Sequence, residues 1–296
     1  MNVGNTKIKK QVVHLVKVVF FAALFFILGT VSVYANHPVF VEGNCLGDGS
    51  AARTAVPPGT CGDYDGDGRI GTAEDTDMPF DRVFGTINAA LGPTGVNQNG
   101  TVTIVASGIF PETVSLLANV TLQAAPGVEA NIDAVLQGDP GSTARQGQPG
   151  IIVNSGSFDH YQVIRNITSK NWTSGIRVMG RSRVAIENCR LENNVNYGIE
   201  IADNARVTIS KSEIHATGFR VNPMTGSFPG SSTPNPGKGI EFDDASSGTV
   251  FLTTVSGSFG AGISDVSSGS VCAYLVNVFD NSPNFQNVTP SATSCP

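Results

Sequence analysis

Asp63, Asp65 and Asp67 stand at alternate positions of the run Asp63-Tyr64-Asp65-Gly66-Asp67-Gly68-Arg69-Ile70-Gly71-Thr72-Ala73-Glu74. Alternate residues of a tight loop point at one centre, and Ca2+ takes about six to eight oxygen ligands. Gly68 permits the sharp turn, Arg69 offers its backbone carbonyl, Ile70 packs the loop inward and Glu74 supplies a bidentate carboxylate. Asp63, Asp65, Asp67, Arg69 and Glu74 are therefore the expected Ca2+ ligands. The alternative is a solvated acidic turn, since Asp-Gly pairs are common in loops. The number of positions matching in register weighs against it. Pro57-Pro58-Gly59 just upstream excludes an entering helix. The expected site is thus structural and fairly weak, not a calcium switch.

A second set of groups able to do chemistry is Arg177, Glu200, Glu241, Asp243 and Asp244. They are far apart in sequence, so their relation depends on the elements that carry them. Each of the first three occupies the third place of a repeated phrase, Gly-Ile-x-apolar: Gly150-Ile151-Ile152-Val153, Gly175-Ile176-Arg177-Val178, Gly198-Ile199-Glu200-Ile201, Gly239-Ile240-Glu241-Phe242 and Gly262-Ile263-Ser264-Asp265. The spacings are 25, 23, 41 and 23 residues, the 41 containing a Pro/Gly/Ser-rich insertion over 219–238. A weaker phrase follows each copy, as Val184-Ala185-Ile186-Glu187-Asn188-Cys189-Arg190-Leu191 aligns with Val207-Thr208-Ile209-Ser210-Lys211-Ser212-Glu213-Ile214. Both phrases alternate apolar and polar, which predicts strands with one buried face. A fixed period near 23 residues without helical stretches predicts a solenoid of parallel strands, not a sandwich or a leucine-rich array.

In such a stack, equivalent residues lie about 4.8 Å apart on neighbouring turns. Ile152, Arg177, Glu200, Glu241 and Ser264 then form one outward row, with Arg177 paired to Glu200 and the two glutamates adjacent. Asp203, Asp243 and Asp244 extend the acidic patch. Paired carboxylates could act as acid and base on a glycosidic bond, or hold a metal for a lyase with Arg177 as base. Outward solenoid positions are also ordinarily polar and solvated, and that reading is the stronger one. His160 and His215, the only histidines past the start of the mature chain, read as surface or turn residues. Asp265 stands where an apolar residue belongs and suggests that the stack frays there.

The Gly-Ile-x-Val strand, the turn and the Val-x-Ile-x-Asn-Cys-x-Leu strand resemble the repeat of the pectin-lyase-like superfamily, over roughly residues 80–290. The resemblance implies an all-β, right-handed parallel β-helix. It also implies that Thr86–Leu91 is a short capping helix over the open end of the core, with Thr86 as a plausible N-cap. Strands are expected at Pro38–Val41, Thr101–Ala106, Glu112–Leu117, Val120–Ala124 and Ala130–Val135, with Ser107–Pro111 as a separator. The Asp63–Glu74 loop resembles an isolated EF-hand or dockerin-type calcium loop. The superfamily includes lyases, glycosidases, esterases and adhesins, so fold does not choose the activity. Of its glycosidase motifs only an Asp-Asp pair, Asp243-Asp244, is present, and Gly-His-Gly is absent.

Residues 1–35 read as a signal peptide. Lys7, Lys9, Lys10 and Lys17 form a basic leader, Val18–Leu28 is almost wholly apolar, and Val33-Tyr34-Ala35 places small residues for cleavage after Ala35. The alternative, an uncleaved anchor, is disfavoured by the shortness of the run. Residues 36–79 then carry a first strand and the calcium loop, and 80–296 the β-helix. Losing the leader removes four Lys and no acid, so the net charge moves from −6 to −10. Nucleic acid is a poor partner for such a chain. Export, to the medium or a periplasm, permits disulfides. Cys45 with Cys61 and Cys272 with Cys295 are candidate pairs, although sequence leaves connectivity open. Cys189 reads as a packed, inert thiol. The functions expected are a non-catalytic module that binds a polysaccharide or cell-surface glycan, a lyase or hydrolase of an acidic polysaccharide, or a purely structural protein. Trp172 and five Tyr are the residues counted as able to stack on sugar rings.

Overall fold

Alternation of buried and outward residues over short strands, closed by tight corners, builds a three-sided solenoid. The computed structural model describes residues 39–41, 83–93, 95–96, 99–134, 148–218, 237–291 and 294–295. The leader, the Asp63–Glu74 loop, Cys45, Cys61 and insertion residues 219–236 lie outside these. Successive strands step from one sheet to the next, so that one turn contributes one strand to each of three parallel sheets, of nine, seven and seven strands among the described residues. Tyr161–Arg165, Ile167–Lys170 and Ser174–Gly180 make one such turn, in sheets I, II and III respectively. Each pairs in parallel register with its counterpart in the next turn: Arg183–Glu187, Arg190–Glu192 and Tyr197–Ile201. Stacked corner residues are separated by 22 or 23 residues, and by 41 where the insertion intervenes. The sequence period is thus the period of the stack.

The Gly-Ile-x-apolar phrases run along sheet III. Ile151, Ile176, Ile199, Ile240 and Ile263 stack in the interior, fully buried, and Val153, Val178, Ile201 and Phe242 form a second buried ladder beside them. Burying side chains of this size stabilises the fold by about 1.5–3 kcal/mol each relative to exposure. The glycine column has a spatial cause. A Cβ on Gly198 would lie 2.4 Å from Ile214 Cγ2 and 2.6 Å from the Gly239 carbonyl oxygen. On Gly239 it would lie 2.4 Å from Val255 Cγ1 and 2.5 Å from the Gly262 carbonyl oxygen. Here the strand of sheet III passes directly beneath the inward side chain of sheet II.

Positive φ is required elsewhere, at the corners. Asn166, Asn188, Lys211, Leu252 and Leu275 follow successive sheet I strands, with φ from 50° to 58°. Asn171, Asn193, Ala216, Gly257 and Asp280 do the same after sheet II. Asn adopts this region more readily than other chiral residues, whose cost is about 1–2 kcal/mol. The Asn-x-Ser/Thr triplets at Asn119, Asn166, Asn171 and Asn287 all start at such corners. One residue further on, the side chain turns inward. Asn194 accepts from the Trp172 amide at 3.1 Å and donates to the Ser169 carbonyl at 3.2 Å. Asn281 makes the same two bonds to Ser258 and Val255. Trp172 is fully buried, its indole donating to the Ile132 carbonyl at 2.9 Å, so it is not available to a sugar.

The cap helix spans Ile87–Leu91 and buries Ile87, Ala90 and Leu91, with Thr86 as its N-cap accepting from the Ala89 amide at 3.2 Å. A second acceptor comes from across the rung: the Glu112 carboxylate takes the Ile87 and Asn88 amides at 2.8 and 3.0 Å. These are donors that a helix start leaves unpaired. Val39–Val41 pairs with Gly100–Ile104 and so joins sheet I.

Two expectations are corrected. Ser107–Pro111 is not a mere separator, because Gly108–Phe110 is the first strand of sheet II and pairs with Ala130–Ile132. The stack does not fray at Asp265 either. A further turn follows, with Phe285 and Gln286 in register with Ile263 and Ser264. The Asp265 carboxylate accepts from the Ser267 amide and hydroxyl at 2.9 and 2.7 Å, so the aspartate closes a turn. The tail then bridges Ser291 to Tyr274, and Cys272 forms a disulfide with Cys295.

The glycine column makes a direct prediction. Gly198→Ala is expected to cost about 2 kcal/mol through overpacking, seen as a lower urea midpoint. Gly156→Ala, whose Cβ would meet nothing within 4 Å, is expected to change stability by less than about 0.5 kcal/mol. Equal effects at the two positions would show that the close approach at Gly198 does not matter.

Candidate functional site

The outward row of sheet III assembles as the repeat requires. Arg177 pairs in register with Ile152 and Glu200, Glu200 with Glu241, and Glu241 with Ser264. Arg177 Nε lies 3.3 Å from Glu200 Oε1, and Glu200 Oε2 accepts from the Ser174 hydroxyl at 2.8 Å. Glu241 has its own cation, the Lys238 amine at the start of the same strand. The neighbouring glutamates are therefore each held by a separate positive group. That arrangement offsets their mutual repulsion. The row is not uniformly solvated, because Glu241 and Ser264 are only 5 % and 0 % exposed.

Asp243 and Asp244 lie beyond the end of that strand, on an exposed corner. Asp203 and Asp244 both have positive φ, at the place Gly180 fills one turn earlier. Asp203 Oδ2 accepts the Gly180 amide at 2.8 Å, and Asp244 Oδ2 accepts the Asp203 amide at 3.1 Å. Asp243 Oδ1 accepts the Asp244 amide at 2.8 Å. Asp203 and Asp244 tie the backbone of one corner to the next, while Asp243 closes its own corner. Among the described residues no group of three or more His, Cys, Asp or Glu side chains converges to hold a metal ion.

Two Ser–His contacts escaped the reading by spacing. Ser155 Oγ lies 2.9 Å from His160 Nδ1, and Ser256 Oγ lies 2.9 Å from His215 Nδ1. The second joins residues paired in register on neighbouring rungs of sheet II. The first closes a lengthened corner, where Ser155 is almost buried and its hydroxyl also reaches the Ser157 carbonyl at 3.0 Å. The Ser155 amide is taken by Ser182 Oγ at 2.8 Å, so it is not an open oxyanion donor. Neither contact has the exposed nucleophile that acyl transfer needs.

A concave site lies elsewhere, at the corner between sheets I and II. It is a cleft of about 370 Å3 whose walls include Pro126, Val128, Asn166, Thr168, Asn188 and Arg190. Its volume falls in the range of about 300–1,000 Å3 usual for small-ligand sites. It exists because the chain from Ala125 to Glu129 makes a wider corner than the Asn166 and Asn188 corners stacked beside it. The two asparagines are linked, Asn188 Nδ2 donating to Asn166 Oδ1 at 2.8 Å, and Asn166 Nδ2 donates to the Ala124 carbonyl at 3.2 Å. Arg190 is 57 % exposed and pairs with Glu192, with Glu213 at 4.0 Å. This cleft was not legible beforehand, since it depends on the stacking of corners separated by about forty residues.

Cys189 sits on the inner side of sheet II, where its sulfur lies 3.4 Å from the Glu187 carbonyl oxygen and 3.5 Å from that of Ile164. Burial pushes its thiol up from 9.0 to about 12, against partial relief from backbone hydrogen bonds. The thiolate is thus absent at neutral pH, and the thiol is inert. At pH 9, Cys189 is expected to remain unmodified by a thiol reagent in the folded protein and to react fully in urea, as read by peptide mass mapping. Rapid modification in the folded state would contradict its burial.

Comparison with curated proteins and with solved structures yields no match. The family described as the right handed beta helix region matches residues 111–280, more than half of the chain, which coincide with the regular turns of the three sheets. The chain belongs to the right-handed β-helix family.

Proposed function

We propose that this is a secreted, non-catalytic glycan-binding or adhesion module stabilised by a Ca2+ loop. The observation that carries the reading is the corner cleft, where two asparagines, a threonine and an exposed guanidinium converge beside apolar Pro126 and Val128. Amides, hydroxyls and a guanidinium suit the vicinal hydroxyls of a sugar, and the apolar wall suits its C–H face. Glu192 and Glu213 beside Arg190 disfavour a polyanion. So does the acidic balance of the chain. Neutral polysaccharides are accordingly the ligand class. The row Arg177/Glu200/Glu241 and the corner Asp243/Asp244 speak for binding over catalysis, because each of these carboxylates is engaged by a cation or a backbone amide. The leader supports export, and the spacing of Asp63, Asp65, Asp67, Arg69 and Glu74 supports calcium.

Affinity electrophoresis through gels containing neutral or acidic polysaccharides tests the binding. Retardation by a neutral polysaccharide is expected, reduced at least fivefold in apparent affinity by Arg190→Ala with Asn188→Ala. Neither unsaturated sugars nor new reducing ends should appear. Either product, lost on changing Glu200 and Glu241 to Gln, would establish the lyase or hydrolase instead.

The calcium site is tested separately. Adding Ca2+ to chelator-treated protein is expected to raise the melting temperature and to give a binding isotherm with one site. Asp65→Ala with Glu74→Ala should abolish both. No heat and no thermal shift in the unaltered protein would remove calcium from the reading.

A further inference from the structure

Two neighbouring rows of the solenoid change character at the same two turns, and a third follows at the last of them. The last outward position of the sheet I strands reads Arg165, Glu187, Ser210, and then Phe251 and Tyr274. The corner position after it reads Asn166, Asn188, Lys211, and then Leu252 and Leu275. The outward end of the sheet II strands reads Lys170, Glu192, His215, Ser256, and then Phe279. Phe251 and Tyr274 stack in parallel, their ring centroids 5.3 Å apart. Leu252, Leu275 and Phe279 are 49 %, 55 % and 41 % exposed, and Phe259, at the opposite corner of sheet II, is 67 % exposed.

The leucines are informative because of their backbone. Both have φ of 50°, in the left-handed region that branched apolar side chains avoid. The same fold places Asn at this corner twice, where it is less strained and bonds along the stack. Leucine at two successive turns brings strain and exposed apolar surface together. Exposed contiguous apolar surface of this kind marks an interaction site.

We propose that this face, the last turns of sheet II with their flanking corners, is where a second copy of the chain docks. Charge placement supports a self-complementary contact. Lys211 lies on the sheet I–II corner one turn before Leu252, and Asp280 lies on the sheet II–III corner directly after Phe279. Both are exposed, and neither is in an ion pair among the described residues. They lie diagonally across the face, whose sheet II positions carry Thr254, Ser256 and Asn277 beside Phe279. A two-fold axis lying in the contact plane between them sets Lys211 of each copy over Asp280 of the other, as an isologous interface requires. Turns about 4.8 Å apart and residues about 3.3 Å apart along a strand make a small face. It falls short of the about 800 Å2 per partner of a standard interface. The dimer is therefore reversible and concentration-dependent, not obligate.

Sedimentation equilibrium of the purified protein over a wide concentration range tests this. A monomer–dimer equilibrium is expected. Leu252→Asn with Leu275→Asn should weaken it at least tenfold while leaving the urea midpoint unchanged or higher, because Asn suits the corner backbone. Lys211→Asp should weaken it at least fivefold, and adding Asp280→Lys should restore it. A monomer at every concentration, assembly beyond dimers, a dimer indifferent to the leucine changes, or charge reversal without rescue would each overturn the proposal.

Discussion

The close approach of sheet III to sheet II at the glycine column is the contact on which the rest of the solenoid depends. Leu191, Ile214, Val255 and Val278 point over the corner into space that a Cβ on Gly175, Gly198, Gly239 or Gly262 would take. Because these glycines leave the space open, the chain turns from sheet II into sheet III within a few residues. The isoleucine after each glycine then enters the core in register with the one before it. The same register aligns the corners, the inward Asn194 and Asn281 bonds, and the outward rows. A solenoid has no long-range packing beyond its neighbouring turns, so an error at one turn is felt mainly by the two beside it. Repeating the glycine is how the sequence prevents such an error.

This explains which features were legible in advance. The buried ladder has the period of the chain, so Ile151, Ile176, Ile199, Ile240 and Ile263 disclosed the fold and predicted the Arg177–Glu200 pair. The purpose of the glycine is not legible in this way, because a glycine needed for space and one needed for positive φ look alike in a sequence. The residues that do take positive φ are mostly Asn and Asp, and the Asn-x-Ser/Thr triplets were their visible trace. Gly108–Phe110 was missed as a strand because only three residues pair there. Trp172 was misread as a possible sugar platform because an indole at a corner can face either way. Only the stacked geometry shows it inside, bonded to Ile132.

The acidic patch shows how a solenoid consumes polar groups. Parallel stacking places each outward residue beside its equivalents, so like charges meet unless the sequence separates or neutralises them. Arg177 beside Glu200 and Lys238 beside Glu241 do this with cations. Asp203 and Asp244 do it by accepting backbone amides from the turn below. A carboxylate used in this way has its lone pairs directed at the protein. Catalysis of glycoside cleavage needs the opposite, two carboxylates directed at a bond in the substrate. The corner cleft differs because the widened turn at Pro126–Val128 breaks the repeat, and broken repeats are where a regular stack acquires concavity.

The stack is also directional in its surface chemistry. Its early corners use Asn166 and Asn188, whose side chains bond along the axis, and its late corners use Leu252 and Leu275, which cannot. Internal stability alone would favour Asn throughout, since the backbone conformation is the same at every turn. The change occurs at the same two turns in a sheet I row and a corner row and reaches the sheet II row at the second of them, so it follows position along the axis and not the demands of any one strand. A surface that changes with position while the backbone beneath it does not is responding to something outside the repeat. In a fold whose interior asks for the same residues at each turn, departures from the repeat separate the surface that serves the stack from the surface that serves a partner.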